Sequence, residues 1–472
     1  MAEPSKAGSG WRYGLARFDV LSDEQADAVH EHALRLLEEI GYRVSYTPLL
    51  RLLLDEGLDA EGDLVRLDRG FVTEKVALAP ANFEVRGRSP DRSVTIGGSN
   101  VVLSPTGGQP FVLHPDGVRK PATLEDYRTL IRLTQAADHM HVTSSGIVEP
   151  DDLPVASRHM DMDYWAIRLA DKPYTPVGAT AEAARDCVDL AAVAFDGRDE
   201  IERSPVMLAI VNPVSPLQFD ERMGGSLMEY SSAGQLVILM PFLLAGATAP
   251  LTLAGAVAQA TAESLAGVAL VQTVRPGTGT VFGAFVSEID LHGGGPIFGT
   301  GGSGLATLTL AQMARRYGLP FRSGGAFTNS RATDERGVQE SLMSLWPSML
   351  SGPSFMLHAA GWLEGSLAVS LDKFAQDLDV LDAFEEILSM HLPLDEDAFA
   401  LDAFREVGPG GTFLGAAHTL RSLKTSTPRP IASNDWKLML DAYEEPAIDA
   451  GLDEDLLRFM AERSGTIERA AG

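Results

Sequence analysis

Acidic, histidine and aromatic residues recur at the points where loops begin after predicted strands. The candidates for substrate binding there are Glu288, Asp290, His292, Phe327, Asn329, Trp362 and Glu364. Carboxylates supply negative charge, and aromatic faces attract a cation without hydrogen bonding. Because a methylated ammonium ion has few or no hydrogen-bond donors, this combination predicts a pocket for a small methylated amine. The competing interpretation of any single loop carboxylate is a helix cap or a solvated side chain.

Other kinds of site are weakly indicated. His139 and His141 lie two residues apart on a predicted strand and could bind zinc together with His159 or Asp161, although such clusters arise by chance in a long chain. The sequence has no Gly-x-Ser-x-Gly motif, and the glycine-rich residues 299–304 lack the dinucleotide-binding spacing. We therefore expect no metal site, and a hydrolase of the Gly-x-Ser-x-Gly type is not indicated.

A regular alternation of short apolar segments and helical segments begins after Thr123. Because parallel strands need a crossover connection, this alternation predicts a parallel sheet, and about eight units match a (β/α)₈ TIM barrel. A doubly wound open sheet is the structural alternative. An eighth strand is predicted at residues 412–414. The other predicted strands are 141–147, 174–178, 206–211, 236–243, 280–286, 320–325 and 354–360. The predicted helices are 124–137, 155–170, 182–195, 221–233, 251–274, 304–317, 335–350 and 371–388.

The N-terminal quarter has a different pattern. Ser22 and Gln25 form a predicted capping box for a helix over residues 23–40, which Gly41 ends. A second helix at 48–56 and short antiparallel strands at 83–87, 93–96, 100–105 and 110–113 follow. The predicted organisation is a loose tail (1–18), an α+β extension (19–122), the barrel (123–455) and a C-terminal tail (456–472).

Composition excludes several classes of protein. Lys plus Arg is 38 and Asp plus Glu is 65, so the formal charge is −27 and the chain lacks the basic face that nucleic-acid binding needs. The lone Cys187 is expected to be a small buried apolar residue. Residues 1–10 lack a signal-peptide core, and the apolar run 236–244 is too short to span a bilayer. We therefore expect a cytoplasmic protein that binds neither nucleic acid nor membrane.

A series of segments, in order along the chain, resembles the trimethylamine methyltransferase family. The most specific is residues 240–259, which read MPFLLAGATAPLTLAGAVAQ. The other matches are 36–41, 262–267, 275–277, 311–320, Gly352, 358–361, 408–415 and 418–419, so the resemblance covers about residues 19–455.

This resemblance implies a (β/α)₈ barrel that moves a methyl group from a methylamine to the cobalt of a separate corrinoid protein. It implies no covalently bound cofactor on this chain, because the corrinoid comes with the partner. The sequence contains ordinary residues only, which implies the pyrrolysine-free branch and a quaternary amine such as glycine betaine as substrate. A quaternary nitrogen already carries its charge and leaves as a neutral amine, so positioning and exclusion of water suffice for catalysis. The resemblance therefore implies no catalytic side-chain nucleophile on this chain.

Two loops depart from the family pattern. Residues 298–302 replace a Gly-x-Pro-Glu motif with glycines, and residues 328–331 replace Thr-Asp-x-Lys with Thr-Asn-Ser-Arg. Two acids are thereby lost, and Glu288, Asp290 or Asp334 are candidates to compensate. The rival hypotheses are an amine-binding homologue without turnover and a different barrel enzyme, such as a lyase or hydrolase. The apolar helix 251–274 leaves room for a homo-oligomer.

Overall fold

The structure is a computed structural model that describes residues 10–389, 394–423 and 433–471. Within these residues, eight short parallel strands form the centre of the molecule. They are β1 (Asn100–Leu103), β2 (Thr143–Ser144), β3 (Tyr174–Thr175), β4 (Leu208–Val211), β5 (Leu236–Leu239), β6 (Thr280–Gly283), β7 (Phe321–Ser323) and β8 (Phe355–Met356).

The pairing of these strands follows their order in the chain. Strands β4, β5, β6, β7, β8 and β1 pair in parallel in that sequence. Strands β2 and β3 pair with each other. A parallel bridge joins Tyr174 of β3 to Met207, which directly precedes β4. On the other side, the backbone N–H of His141 donates to the carbonyl of Leu103 over 2.9 Å. The fold is therefore mixed α/β and TIM-barrel-like.

A helix follows each parallel strand. These helices are α1 (Leu124–Ala136), α2 (Arg158–Leu169), α3 (Ala181–Ala194), α4 (Glu221–Ser232), α5 (Leu253–Val274), α6 (Gly301–Arg316), α7 (Glu335–Leu350) and α8 (Leu371–Ser389). Thr123, Thr180, Asp220, Thr300 and Asp334 cap the N-termini of five of them with their side chains. All eight helices were predicted from the sequence, with ends that differ by a few residues.

The remaining helices and strands lie outside this set of eight parallel strands and eight helices. The further helices are Asp23–Arg35, a π-helical turn Leu36–Ile40, Thr47–Asp55, Arg69–Val76, Arg198–Arg203, Glu396–Phe399, Leu401–Val407, Ala417–Ser422, Trp436–Asp441 and Ala450–Ala471, with 3₁₀ turns at Pro90–Arg92, Glu364–Ser366 and Phe413–Gly415. The further strands are Trp11–Arg12, Tyr42–Val44, Ala60–Glu61, Leu64–Val65, Asn82–Val85, Val94–Gly97, Phe111–Leu113, Arg119–Pro121, Gln218–Phe219, Phe242–Ala245, Phe285–Ile289, Pro296–Ile297, Trp362–Leu363 and Ala368–Ser370. The capping box of Ser22 and Gln25 is present as predicted.

The structure corrects the prediction of the eighth strand. Residues 412–414 include a 3₁₀ turn, Phe413–Gly415, and form no strand. The eighth parallel strand is instead β1, which the sequence pattern placed among the antiparallel strands of the extension. Its partner Phe355–Met356 lies about 250 residues further along the chain, so no local pattern could reveal the pairing.

The two faces of the parallel sheet pack differently. Ala209, Val211, Val237 and Leu239 join the large core beneath the helices. Their alternate neighbours Leu208, Leu236 and Ile238 join a smaller core on the opposite face, where the hairpin strands Asn82–Val85 and Val94–Gly97 also pack. We call this second side the inner face.

Helix α5 is a core helix. Of the helices in the described part of the chain, only this one is long and apolar enough to span a membrane, and 89% of its apolar window is buried inside the protein. The side chains of this helix pack mainly within the chain, and a homo-oligomer stays a prediction.

Both predicted tails contain ordered structure. Trp11–Arg12 pairs with Asn100 and Val101, while residues 1–9 of the predicted N-terminal tail lie outside the described residues. At the other end, Ala450–Ala471 is a helix whose Arg463 binds Asp186 over 2.6 Å and Glu182 over 2.8 Å. Cys187 is a free, buried thiol, as predicted.

Asp163 on α2 is a buried carboxyl group that makes stability depend on pH. It is fully buried, and burial raises its pKa to about 6. The unfolded chain releases this proton near pH 4, whereas the folded protein keeps it until about pH 6, so stability is lost as the pH rises over this range.

We expect Asp163→Asn to stabilise the protein by about 2 to 3 kcal/mol at pH 7 and by little at pH 4, because the amide cannot ionise. Urea unfolding at the two pH values measures the difference, and Asp196→Asn, at an exposed position, is the control. If Asp163→Asn changed the free energy of unfolding equally at both pH values, the buried charge of Asp163 would not be the cause of the change.

Candidate functional site

Buried polar groups collect where the parallel strands end, which we call the carboxyl face. In the described part of the chain these groups have side-chain atoms that are buried without a hydrogen-bond partner. Buried polar atoms are normally paired, so this face is suited to bind a polar ligand or ordered water. The residues are Ser104, Thr106, Gln109, Thr143, Ser145, Asn212, Arg322 and His358.

Four buried aromatic rings form a cluster at the same face. We call Phe285, Phe298, Phe327 and Trp362 the aromatic cluster. The centroids of Phe327 and Trp362 lie 4.7 Å apart, and those of Phe285 and Phe327 lie 4.8 Å apart, both edge to face. Phe242 stacks on Phe285 at 5.6 Å and is 40% exposed. The aromatic surface therefore extends from the interior to solvent.

Two glycines position Phe327 over the end of β7. A side chain at Gly324 would overlap the Phe327 ring, and one at Gly325 would overlap the backbone of His358. Trp362 is fixed by a 3.1 Å hydrogen bond from its Nε1 to the carbonyl oxygen of Thr328. The glycines and this hydrogen bond hold both rings in place without a polar group among them.

His358 is a site residue that the sequence prediction missed. Its ring lies 5.5 Å from Phe327 and 4.7 Å from Trp362, centroid to centroid. Burial, together with the charge of Arg322, holds the pKa of His358 far below its usual range, so the ring is neutral at physiological pH. Its backbone φ is +63°, in the left-handed region. Such strain is typical of functional positions, and His358 belongs to the matched segment 358–361.

Asn329 supports the aromatic cluster from behind. Its Nδ2 donates to the carbonyl of Pro296, and its Oδ1 accepts from the N–H of Phe298, both over 2.8 Å. Its own N–H donates to Glu340 over 2.7 Å. Since both ends of the amide are occupied, Asn329 fixes the segment that carries Phe298.

The three predicted residues after β6 occupy different surroundings. Glu288 accepts a hydrogen bond from Thr300, the N-cap of α6, and so lies at the positive end of that helix. Asp290 accepts from the N–H of His292 over 2.9 Å within a turn. His292 itself is exposed at the tip of that turn. The structure therefore does not bring His292 into the aromatic cluster.

The remaining predicted acids are engaged elsewhere. Glu364 pairs with Arg119 at 2.5 Å, and its side chain is 9% exposed. Asp334 caps α7 by accepting from the N–H of Gly337 over 2.7 Å. It is therefore a helix cap and does not replace a lost acid.

The histidines proposed for zinc have other partners. His139 binds Asp382 over 2.6 Å, and Nδ1 of buried His141 accepts from the N–H of Leu103 over 3.0 Å. His159 binds Asp186 over 3.1 Å. No group of three or more potential metal ligands occurs in the described residues.

Glu288 fills the space that the lost acid of residue 302 would need. A Cβ atom built on Gly302 would overlap the Glu288 carboxylate. The Glu288 carboxylate therefore occupies the space beside Gly302, and its compensation for the lost acid stays a prediction.

We expect Gly302→Glu to lower stability by about 1 to 3 kcal/mol, through overpacking and repulsion between two carboxylates. The double variant Glu288→Gly, Gly302→Glu should recover at least half of that loss, which urea unfolding measures. Gly301→Glu is the control, because a Cβ there meets no atom within 4 Å. If the changes in the free energy of unfolding for Glu288→Gly and Gly302→Glu were strictly additive, the two side chains would not occupy the same space.

The protein is a TIM-barrel-like α/β protein. Its polar and aromatic site lies at the carboxyl ends of the parallel strands, where proteins of this class carry their active sites. Residues 3–434 match the family model described as Trimethylamine methyltransferase (MTTB). The chain therefore belongs to the trimethylamine methyltransferase family, and the resemblance found in the sequence is confirmed.

The relatives bear different names. The chain is 36% identical over 469 residues to "Glycine betaine methyltransferase" of Desulfitobacterium hafniense, covering 95% of this chain and 98% of the relative. It is 25% identical to "Proline betaine:corrinoid methyltransferase" of Eubacterium limosum, covering 88% and 85% of the two chains. "Trimethylamine methyltransferase MttB" of Desulfitobacterium hafniense is 23% identical, with 90% and 85% covered.

A solved structure supports the fold. The Methanosarcina barkeri monomethylamine methyltransferase superposes with a TM-score of 0.52 at 11% identity, covering 94% of this chain and 90% of that chain. The betaine-like, pyrrolysine-free branch expected from the sequence fits these relationships.

Proposed function

We propose that this protein is a methyltransferase that moves a methyl group from a small quaternary amine of the betaine type to the cobalt of a cognate corrinoid protein. The observation that carries the proposal is the aromatic cluster at the carboxyl face. Aromatic faces attract an alkylated ammonium without offering hydrogen bonds. Methyl transfer from quaternary amines also agrees with the names of the relatives.

The proposed architecture is a closed (β/α)₈ barrel preceded by an α+β extension. The parallel pairing from β4 through β8 to β1, with the contacts of Leu103 to His141 and of Tyr174 to Met207, supports this closure. In such a barrel the carboxyl face is the open end that binds the substrate.

The chemistry needs no nucleophile from this chain. The partner's corrinoid supplies the cobalt nucleophile that accepts the methyl group. The C–N bond of the substrate breaks, its electron pair stays on nitrogen, and a neutral tertiary amine leaves without a proton transfer. The aromatic cluster and neutral His358 hold the ammonium ion and keep water from its methyl groups, which is catalysis by position and by a dry environment.

The corrinoid protein is proposed to dock on the carboxyl face, because the methyl group must meet the cobalt atom directly. Exposed apolar side chains lie in the loops that follow the parallel strands, and they suit a protein interface better than open solvent. They are Val155, Val214, Phe242, Leu251, Leu291 and Leu367, between 40% and 79% exposed.

A second candidate function is an amine-binding protein that has lost turnover. It is favoured by Gly302 and Asn329, which stand where the family pattern has acids. The placement of Glu288 against Gly302 supports the enzyme instead, since an acid is retained there.

A thermal-shift screen with glycine betaine, proline betaine, carnitine, choline and trimethylamine tests the binding half of the proposal. A ligand at 100 times its Kd stabilises the folded state by about 2.7 kcal/mol, which corresponds to a rise in Tm of roughly 3 °C for a chain of this size. Sodium chloride at the same concentration is the control. No rise with any quaternary amine would contradict the proposal.

A further inference from the structure

Arg322, in the middle of β7, is a buried cation without a partner. The residue is 1% exposed, and its Nε and Nη1 lack hydrogen-bond partners in the described part of the chain. Burial lowers its pKa to about 9, with no contribution from a nearby acid, so the guanidinium is charged at neutral pH. Arginine is almost never fully buried unless paired, because an isolated buried charge is costly.

The direction of the Arg322 side chain follows from its strand. Phe321 packs in the core beneath the helices, so the next residue points to the inner face. Its partner across the sheet is Gly283, and a Cβ there would lie 3.1 Å from the Cβ of Arg322. The glycine thus leaves room for the long side chain inside the sheet.

The surroundings of Arg322 contain neutral polar groups in place of acids. His358, held neutral, is close enough for the charge of Arg322 to lower its pKa. The unpartnered hydroxyl and amide groups of the carboxyl face belong to the ends of neighbouring strands. No ion pair of Arg322 occurs among the described residues. A ligand must therefore bring the negative charge.

We propose that Arg322 binds the carboxylate of the substrate while the aromatic cluster holds its ammonium group. His358 connects the two regions, because its ring contacts Phe327 and Trp362 and it lies just beyond β8, the strand that pairs with β7 at Arg322. The planar guanidinium matches a carboxylate with two parallel hydrogen bonds. This assignment rests on the proposed function and narrows its substrate class to betaines, whose two charges lie close together.

The assignment predicts strong selection against amines without a carboxylate. Choline and trimethylamine would leave the guanidinium unpaired in the site, and sites with an unpaired buried polar group reject such analogues by about 10³-fold or more.

Titration calorimetry with the full chain tests the assignment, using glycine betaine, choline and 3,3-dimethylbutanoate, which is the uncharged-carbon isostere of glycine betaine. The variant Arg322→Met should weaken betaine binding by about 10² to 10³-fold, because the carboxylate loses its partner. Choline binding should become tighter in this variant, because no unpaired guanidinium is left in the site. Arg316→Met is the charge-matched control, since Arg316 pairs with Asp27 on the surface. If Arg322→Met does not fold, Arg322→Lys keeps the charge without the fork and should weaken betaine binding by about 10-fold.

The possible outcomes separate the assignment from the proposed function. Equal betaine binding by wild type and Arg322→Met would overturn the assignment and leave the function standing. If no quaternary amine binds the wild type, the proposed function fails. Binding of the isostere 3,3-dimethylbutanoate then tests by itself whether Arg322 binds a carboxylate. If 3,3-dimethylbutanoate binds the wild type and does not bind Arg322→Met, the result supports a carboxylate site at Arg322. If 3,3-dimethylbutanoate does not bind the wild type, the carboxylate site is overturned.

Discussion

Replacing Lys373 by methionine is expected to destabilise the protein by about 3 to 5 kcal/mol, because it leaves a buried carboxylate without its counter-charge. Lys373 and Asp377 form an ion pair one turn apart on α8, and their side chains are 1% and 2% exposed. Asp377 also accepts a 2.9 Å hydrogen bond from the N–H of Gly361. The pair therefore anchors the chain immediately before Trp362.

Urea unfolding of Lys373→Met and of the double variant Lys373→Met, Asp377→Asn measures this effect. The asparagine keeps an acceptor for Gly361 but carries no charge, so the double variant should recover at least half of the loss. A loss below about 1 kcal/mol in the single variant would mean that the buried pair contributes no more than a surface pair does.

Replacing Trp362 by leucine is expected to lower kcat/KM for the quaternary amine by about 30- to 100-fold. A desolvated cation–π contact is worth about 2 kcal/mol or more, and 1.4 kcal/mol corresponds to a factor of ten. Trp362 is 5% exposed and contacts Phe298, Phe327 and His358. Most of the effect should appear in KM, since the ring binds the ammonium ion in both the ground state and the transition state.

Phe384→Leu is the matched control for Trp362→Leu. Phe384 is 3% exposed and packs against Trp346 at 4.9 Å, in a different part of the molecule. Both substitutions remove a buried ring and should lower Tm. If both variants kept the wild-type KM, Trp362 would be a core residue without a role in binding.

The helices and most strands could be predicted from the sequence because their apolar periodicity is local. All eight helices and seven of the eight parallel strands fall close to their predicted positions. Strand β1 was misassigned because it lies among short antiparallel strands that share its pattern, and its partner Phe355–Met356 is remote in sequence. The segment 412–414 has suitable residues for a strand, but it forms a 3₁₀ turn.

The site was predictable only where it follows a strand directly. Phe327 and Trp362 were found by that rule and lie in the aromatic cluster. Arg322 lies inside a strand, and whether it points inward or outward depends on the register of the sheet. Asn329 was predicted as a substrate contact, but both ends of its amide bind the backbone. Such roles depend on the folded neighbours and leave no trace in residue type or spacing. The contacts of Glu288, Asp290, His292, Asn329 and Glu364 with substrate remain predictions.

The most direct test of the central claim is transfer of a labelled methyl group from glycine betaine to reduced corrinoid. The purified protein is incubated without oxygen with glycine betaine whose three methyl groups are all trideuterated, together with free cob(I)alamin or its cognate corrinoid protein, and the products are measured by mass spectrometry. We expect dimethylglycine and labelled methyl-corrinoid in equal amounts, and at substrate concentrations well below KM we expect Trp362→Leu to be slower by about 30-fold or more. Binding of glycine betaine without any labelled methyl-corrinoid, under conditions where a known corrinoid methyltransferase is active, would contradict the claim and favour an amine-binding protein.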